Sequence, residues 1–323
     1  MALARAGGER APTVSVVIPV YNGARFIGAA IESVLAQTVP VRECLVVDDG
    51  SEDGTAAVVS GWGAPVRVLR QPRAGVAEAR NRGLREARGS HVAFLDADDV
   101  WLPAKLERQQ EALDRTTAGA SICGWFTTDA DLRTLGEQRA RIDGGLRGLL
   151  AFQYAGISGS TLVAERSVLE RLGGFDRRLS TSADWEMVAR LLLDGPVAVV
   201  EEPLVLYRQH GRGMHRDVGR MEQDMRLAFD KVLADARLDA GVRRERRRWW
   251  AGLHAILAGS YLEARQARPA LRHGLQAMRL DPARAPHLLC RAAGALWRRG
   301  GLSTAETSAG TEADRPPRRA VGA

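Results

Sequence analysis

The hydrophobic positions in the first hundred residues fall in blocks. Val14 to Val20 (VSVVIPV) is an almost unbroken β-branched run, which predicts a strand buried on both faces. Tyr21-Asn22-Gly23 turns the chain, and from Arg25 to Gln37 the residues Ile27, Ile31, Val34 and Leu35 share one helical face. A second buried run, Cys44 to Val47, ends in Asp48-Asp49-Gly50-Ser51, with Asp53 and Thr55 at a helix start. Val66 to Leu69 predicts a short third strand. Ala74 to Arg88 interleaves Ala and Leu with Arg and Glu and predicts a helix closed by Gly89. His91 to Leu95 predicts a fourth strand. Strand and helix alternating in this way predict an α/β fold, a mostly parallel sheet with helices on both faces. Ligands bind such sheets beyond the carboxyl ends of the strands. Tyr21-Asn22, Asp48-Asp49 and Asp96-Ala97-Asp98-Asp99 all stand at such ends, so three polar clusters are expected to converge on one edge.

Beyond residue 103 the pattern changes. A helix from Pro103 to Arg115 leads to a strand at Ala120 to Phe126, and the polar stretch 129–148 reads as surface loop. Gly156-Ile157-Ser158-Gly159-Ser160 is a small-residue loop before a strand at Thr161 to Val163. A short helix over Val168 to Leu172 closes at Gly173-Gly174. Thr181 to Glu186 precedes an apolar helix, Met187 to Leu193, and Val197–Val200 and Leu204–Tyr207 read as two short strands. From about 217 the pattern is helical. It includes an arginine run, Arg243 to Trp250, that ends in two tryptophans, and a stretch, Tyr261 to Pro282, with half a tetratricopeptide-type spacing. Residues 1–12 read as a loose leader and 301–323 as disordered.

Composition narrows the class only a little. The 323 residues are 45% hydrophobic and 26% charged, ordinary for a globular protein. The net charge of +7 rests on arginine, since Lys105 and Lys231 are the only lysines, and it suits an anionic partner such as a nucleotide or a phospholipid surface. The three cysteines, Cys44, Cys123 and Cys290, are scattered without a CxxC pair, which argues against a zinc site or disulfide framework and for a reducing, cytoplasmic setting. No apolar run approaches the roughly 18 residues that a membrane span needs.

The chemistry concentrates at 96–99. An apolar strand that ends in three carboxylates needs compensation, because like charges repel and each resists desolvation. One solution is a divalent cation held by a carboxylate or two plus substrate phosphates. The other is a solvated turn with Asp99 capping the helix after Pro103.

Taken together, VSVVIPVYN at 14–22, VVDDGSEDGT at 46–55, GVAEARNRGL at 75–84, FLDADD at 94–99, GGFDRRL at 173–179, SADWEM at 182–187 and EPLVLYRQH at 202–210 resemble the family 2 glycosyltransferases of GT-A fold. The resemblance covers most of 13–215; Ala183 stands where many relatives carry Glu, and the last third has no counterpart. It implies a Rossmann-like mixed sheet in a transferase domain over 13–215, with a donor-nucleotide half at 13–126 and an acceptor half at 127–215. A helical extension over 216–300 and a disordered tail over 301–323 would follow. It also implies an inverting transfer from a nucleoside diphosphate sugar, UDP-sugars favoured, to a saccharide or lipid-linked hydroxyl in cell-surface polysaccharide or glycolipid assembly. Pro19, Tyr21, Asn22, Asp49, Arg80 and Asp96 would hold the donor, with Asp48 as donor contact or turn residue. Asp98, with His210 as a further ligand, would hold Mg²⁺ or Mn²⁺. Asp184 would be the general base, with Glu186 as runner-up, and Trp185 and Ser158 would touch the acceptor. The residues' own alternatives are an N-cap for Asp184, a solvated helix face for Arg80 and a structural role for His210.

Other readings fare worse. The turn after the first strand lacks the Gly-x-Gly-x-x-Gly of a dinucleotide-binding dehydrogenase, and no P-loop is present. No nucleic-acid-reading motif accompanies the basic charge. A non-catalytic sugar-nucleotide-binding or membrane-surface scaffold is the alternative of a different class, with the Arg-rich tail, Trp249 and Trp250 docking on a partner or an anionic membrane face. The plain alternative for that tail is packing against the rest of the protein with its arginines in solvent.

Overall fold

The computed structural model describes residues 13–210 and 217–284. The leader, the 301–323 tail, Cys290 and the extension past 284 lie outside the described residues. The amino-terminal half runs β1 (Val14–Val20), α1 (Ile27–Leu35), β2 (Glu43–Asp48), α2 (Thr55–Ser60), β3 (Val66–Arg70), α3 (Val76–Glu86) and β4 (His91–Phe94). Then come β5 (Val100–Trp101), α4 (Lys105–Asp114), β6 (Ala120–Thr128), β7 (Thr134–Gln138), β8 (Arg141–Ile142), α5 (Leu146–Leu150), β9 (Tyr154–Ala155), β10 (Val163–Glu165), α6 (Arg166–Arg171), α7 (Ala183–Asp194) and β11 (Val197–Arg208). The helices α8 (Val218–Ala234), α9 (Ala240–Arg244), α10 (Arg246–Glu263) and α11 (Ala267–Leu280) follow.

The main sheet has the order β3-β2-β1-β4-β10-β6-β11-β5, with β7 added to β6. It is mixed: β3, β2, β1 and β4 run parallel, whereas β10 is antiparallel to both β4 and β6. The unbroken apolar strands are explained by burial on two sides. Val17, Leu45, Val47 and Phe94 face one core; Val16, Ile18, Val46, Ala93 and Leu95 face the other. On the first face α3 comes very close to β1. A Cβ at Gly83 would stand 2.2 Å from a Val17 methyl, so no larger residue fits there.

β1 and β4 stay paired only as far as Val17 and Phe94, two residues short of Pro19. Pro19 has no N–H to give a neighbour, and it sits where the two strands part. That parting places the polar strand ends around an open space.

Three expectations about elements change. The stretch 129–148 is no plain loop. It holds β7, which pairs with β6, and β8; every β7 side chain is exposed, so backbone hydrogen bonds alone make the strand and no apolar alternation announces it. The two strands expected at 197–207 are one strand, β11, with register shifts around Pro203. The small-residue loop at 156–160 runs into a 3₁₀ turn, Gly159–Thr161, capped by Ser158.

The carboxy-terminal helices share the first core. Phe229 of α8 is fully buried and stacks on Trp185 of α7 at 5.0 Å and on Phe152 at 5.7 Å. Trp249 is buried and donates its indole N–H to the Val242 carbonyl at 2.8 Å, and Trp250 leans on Phe229. Of the two readings of the tail, docking or packing with its arginines in solvent, the structure shows the second: both tryptophans pack inward, while Arg243, Arg244, Arg246, Arg247 and Arg248 stay exposed. The partial repeat spacing corresponds, among the described residues, to a single helical hairpin of α10 and α11 joined by three residues.

Candidate active site

The strand ends open into a cavity of about 1100 Å³. Pro19, Tyr21, Asn22, Asp49, Arg80, Asp96, Asp98, Ser158, Asp184, Trp185 and His210 all line it. The structure thus brings every candidate site residue to one place, while Asp48 and Glu186 are not on its wall.

On the side built by β1 and β2, Tyr21 is exposed and its ring lies under the Arg73 guanidinium at 4.1 Å. Asn22 is left-handed, at φ 52°. Its side-chain oxygen accepts from the Glu52 amide at 2.8 Å and its own amide donates to Ser51 Oγ at 2.9 Å, which together hold an otherwise unfavourable backbone. Asp49 is buried and accepts from Gln71 Nε2, the Ala74 amide and the Gly75 amide, each at 2.8 Å. Those bonds fix the entry to α3. Asp48 is a turn residue: buried, it accepts from the Ser51 amide at 2.8 Å.

Arg80 is not on a solvated helix face. It is 3% exposed, donates from Nη2 to Asp96 Oδ1 at 2.6 Å, and lies 5.3 Å from the Phe175 ring centroid. Its Nε is buried without a hydrogen-bond partner.

The 96–99 loop divides its three carboxylates. Asp96 takes Arg80, and its amide donates to Ser160 Oγ at 3.0 Å. Asp98 faces the cavity with Oδ2 2.8 Å from His210 Nε2. Burial, then the neighbouring Asp96 charge, pushes its carboxyl above the usual range, against the His210 contact. Asp99 does not cap α4, whose N-cap is Ala104. It is fully buried, accepting from Ser160 Oγ at 2.5 Å and from the Arg208 amide at 2.9 Å, and so joins the loop to the turn at 159–161 and to β11. Burial and then Asp98 and Asp96 raise its carboxyl well above the ordinary value.

The opposite wall comes from α7, the 154–158 segment and α8. Asp184 is in the first turn of α7, and the N-cap position belongs to Ser182, so the capping alternative for Asp184 is overturned. Its Oδ1 accepts from the Trp185 amide at 2.8 Å, and among the described residues it has no ion-pair partner. Burial raises its carboxyl, while the Arg80 charge draws it back down. Glu186, the runner-up base, is fully buried and held by Arg190 and by Lys231 at 2.7 Å, which puts it in the helix packing instead. Trp185 lines the cavity, but one face of its ring is occupied by Phe229 and is not available to an acceptor; its Nε1 is buried without a partner. Ser158 caps the 159–161 turn.

Whether a divalent cation suits this site is a question of donor set. Among the described residues no group of three or more ligating side chains is assembled. Asp98 and His210 do offer a carboxylate and an imidazole side by side on the cavity wall, with the Arg80-paired Asp96 carboxylate lining the same cavity. Two protein ligands completed by phosphate oxygens are a normal set for such an ion, so the residues fit one.

Residues 15–173 match the family model described as glycosyl transferase family 2. Through this segment the chain is similar to the members of glycosyltransferase family 2. An uncharacterized glycosyltransferase of Rickettsia prowazekii is 31% identical over 208 residues, 62% of this chain and 64% of that relative. A Bacillus subtilis glycosyltransferase assigned to teichuronic acid biosynthesis, TuaG, is 38% identical over 118 residues, 35% of this chain and 47% of the relative. The chain thus spans less than two thirds of the length of these relatives. Among solved structures, S. aureus TarS in complex with UDP-GlcNAc superposes with a TM-score of 0.60 at 17% identity, covering 89% of this chain and 91% of that one. The mannosyltransferase PcManGT of Pyrobaculum calidifontis, in complex with GDP-Man and Mn²⁺, gives 0.56 at 24% identity, covering 91% and 92%. These likenesses establish the fold as that of GT-A glycosyltransferases.

Several residues of this site escape a reading of the sequence. Tyr154, Tyr207 and Trp125 line the cavity, as do Met221 and Met225 of α8, so its wall continues past residue 215. Arg208 donates from its amide to Asp99 and from Nε to the Asp98 carbonyl at 2.7 Å, fixing the acidic loop against β11. Burial raises the Tyr154 and Tyr207 hydroxyls, with Asp184 next for the first and Asp99 for the second, so both stay protonated donors. Arg73 was within reach, since only Ala74 separates it from the GVAEARN segment. Arg208 lies inside the EPLVLYRQH motif without a role read for it, and the others are aromatic or Met residues whose spacing matches ordinary core.

Proposed function

We propose that this chain is an inverting glycosyltransferase that moves a sugar from a nucleoside diphosphate sugar, UDP-sugars first, to a hydroxyl acceptor. The observation that carries the reading is the convergence in one cavity of Asp49, Asp96 and Asp98, from the ends of two different strands, with Asp184 from a helix on the facing wall. In this reading the base and ribose lie along Pro19, Tyr21 and Asn22, and Arg73 over the Tyr21 ring faces an incoming nucleotide with positive charge. Asp49 keeps lone pairs beyond its three bonds for a base N–H. Asp96, oriented by Arg80, accepts from a ribose hydroxyl.

Asp98 and His210 would hold Mg²⁺ or Mn²⁺, which neutralises charge on the departing diphosphate. Asp184 takes the proton from the acceptor hydroxyl as its oxygen bonds to the anomeric carbon. The bond from that carbon to the diphosphate oxygen breaks on the opposite face, and the electron pair leaves with the nucleoside diphosphate. One base and no protein nucleophile is the arrangement that inverts. Asp184 suits the role because its neighbours Asp49, Asp96 and Asp98 are each committed to a donor, whereas it accepts only a local amide. The assignment of TuaG to teichuronic acid biosynthesis supports a saccharide or lipid-linked acceptor in polysaccharide assembly, with the enzyme in the cytoplasm and at the inner membrane face where the acceptor is lipid-borne.

The test is a donor panel of UDP-, dTDP- and GDP-sugars with Mn²⁺, read by thermal shift and by release of the nucleoside diphosphate. A true donor raises the melting temperature by mass action and is turned over. Binding without turnover under every acceptor condition would favour the scaffold reading, and neither would sink both.

A further inference from the structure

The helical part after residue 217 does more than cover the core. Asp224, on α8 and 4% exposed, turns its Oδ2 to the segment that leads into α7. That one oxygen accepts from the Ser180 amide at 2.7 Å and Oγ at 2.9 Å, and from the Thr181 amide at 2.7 Å and Oγ1 at 3.0 Å. Arg220, one turn earlier, donates from Nε to Ser180 Oγ at 3.0 Å and stands 3.9 Å from Asp224 Oδ1. The segment so held is part of the cavity wall, and Asp184 follows within four residues.

Asp224 holds the residues that lead into α7, while Trp185 and Glu186 pin the first turn of α7 from the core side. Its N-cap, Ser182, makes no side-chain capping bond. A carboxylate is also well placed ahead of a helix N-terminus, where the backbone partial charge is positive. The same face of α8 sends Met221 and Met225, three before and one after Asp224, to the cavity. Removing the carboxylate would leave two amides and two hydroxyls without their acceptor and free the segment that aims Asp184.

We propose that Asp224 is a positioning residue for transfer: its carboxylate holds Ser180 and Thr181 and through them sets the Asp184 side chain against the acceptor. The inference rests on Asp184 as the general base. It makes α8, which lies outside the segment matched by the family model, a working part of the site.

The experiment uses the full chain with Asp224→Ala, Asp224→Asn and the double change Ser180→Ala/Thr181→Val. UDP and GDP serve as nucleotide probes, and UDP-GlcNAc and GDP-mannose with Mn²⁺ as donors. Because a misplacement of about 1 Å costs on the order of 100-fold, Asp224→Ala should lower kcat by about 10- to 100-fold. Donor KM and the nucleotide-induced thermal shift should remain near wild type. Asp224→Asn, which keeps an acceptor oxygen, should fall between the two. The double change should cost less than Asp224→Ala and add little to it, since both act on one contact. Hydrogen exchange of the 178–188 segment, measured with UDP present, should speed up in Asp224→Ala and leave β1 and β2 unchanged.

Retention of kcat within about 2-fold, against the loss expected from misplacement, overturns the proposal. So does a loss of turnover matched by equal losses of nucleotide binding and folded protein, or unchanged exchange at 178–188. If the wild type turns over no donor, the transferase reading fails, and the exchange result still decides whether Asp224 holds the segment.

Discussion

Gly159→Ala probes how rigidly the charged side of the site is held. A Cβ at this position would stand 2.3 Å from Arg80 Nη2 and 2.8 Å from its Cζ, both far inside contact distance. The backbone of Gly159 does not require glycine, so the conflict is purely steric. Arg80 has no room to yield, being 3% exposed, against the Phe175 ring and bonded to Asp96 at 2.6 Å. Either the pair breaks or the 159–161 turn shifts. Breaking a buried pair costs about 3–5 kcal/mol, and the partial exposure of Asp96 favours the low end. Shifting the turn is an overpacking cost of about 1–3 kcal/mol. The expected loss is therefore about 2–3 kcal/mol, or roughly 3–5 °C in a chain of this size. Scanning calorimetry with and without UDP measures it, and the UDP-induced shift should shrink because Asp96 loses its orienting partner. Gly259→Ala in α10 is the control. Nothing stands within 4 Å of its Cβ, so it should stabilise by about 0.5–1 kcal/mol. A Gly159→Ala protein that melts within about a degree of wild type, with its UDP shift intact, would refute the placement of Arg80.

Asp98→Asn should remove Mn²⁺ stimulation of turnover from chelator-treated protein while leaving the melting temperature close to wild type, since Asp98 is on the cavity wall; persistent Mn²⁺ stimulation would move the cation elsewhere. Acid should loosen the carboxy-terminal helices. His254 contacts His273 at 2.8 Å, and burial followed by the His273 and Arg226 charges lowers it to about 4. Because the folded value lies below the ordinary one of about 6.5, the unfolded chain takes up the proton first as pH falls, and stability declines from about pH 6.5 towards 4. Allowing for partial exposure, the loss is about 1–2 kcal/mol. The urea midpoint should fall between pH 7 and pH 5, and by distinctly less in His254→Leu; equal falls would count against the assignment.

The half of the site at the strand ends was legible because its chemistry conflicts with its surroundings. A strand such as His91–Phe94 that ends in carboxylates advertises a function, and the rule that ligands sit beyond strand ends turned separate clusters into one edge. Asp99 and Arg80 were read less well for one reason: sequence spacing shows which face a residue is on but not which partner pays for its burial. Arg80 sits in an alternation of Ala, Arg and Glu that looks solvated, and Asp96 sixteen residues away makes its burial possible. On the facing wall only Asp184, Trp185 and Ser158 were legible, through the family resemblance and not through their own pattern. Tyr154, Met221 and Met225 look like core, and Asp224 looks like any acid on an amphipathic helix until Ser180 and Thr181 are seen beneath it. Trp249 and Trp250 left two readings open, because aromatics beside an arginine run arise both on docking surfaces and where a helix packs inward, and the structure shows packing.

The central claim is that Asp184 is the base of a transfer reaction whose donor is bound by the opposite wall. Asp184→Asn tests it most directly, because amide for carboxylate keeps the shape and removes the basicity. The account predicts that the UDP- or GDP-induced thermal shift survives while transfer falls by about 10²- to 10⁴-fold. In the wild type, kcat should rise with pH through a limb set above the ordinary carboxylate range, since Asp184 must be ionised to act and burial raises it. Transfer retained within a few-fold of wild type would contradict the claim, as would nucleotide binding lost in step with transfer.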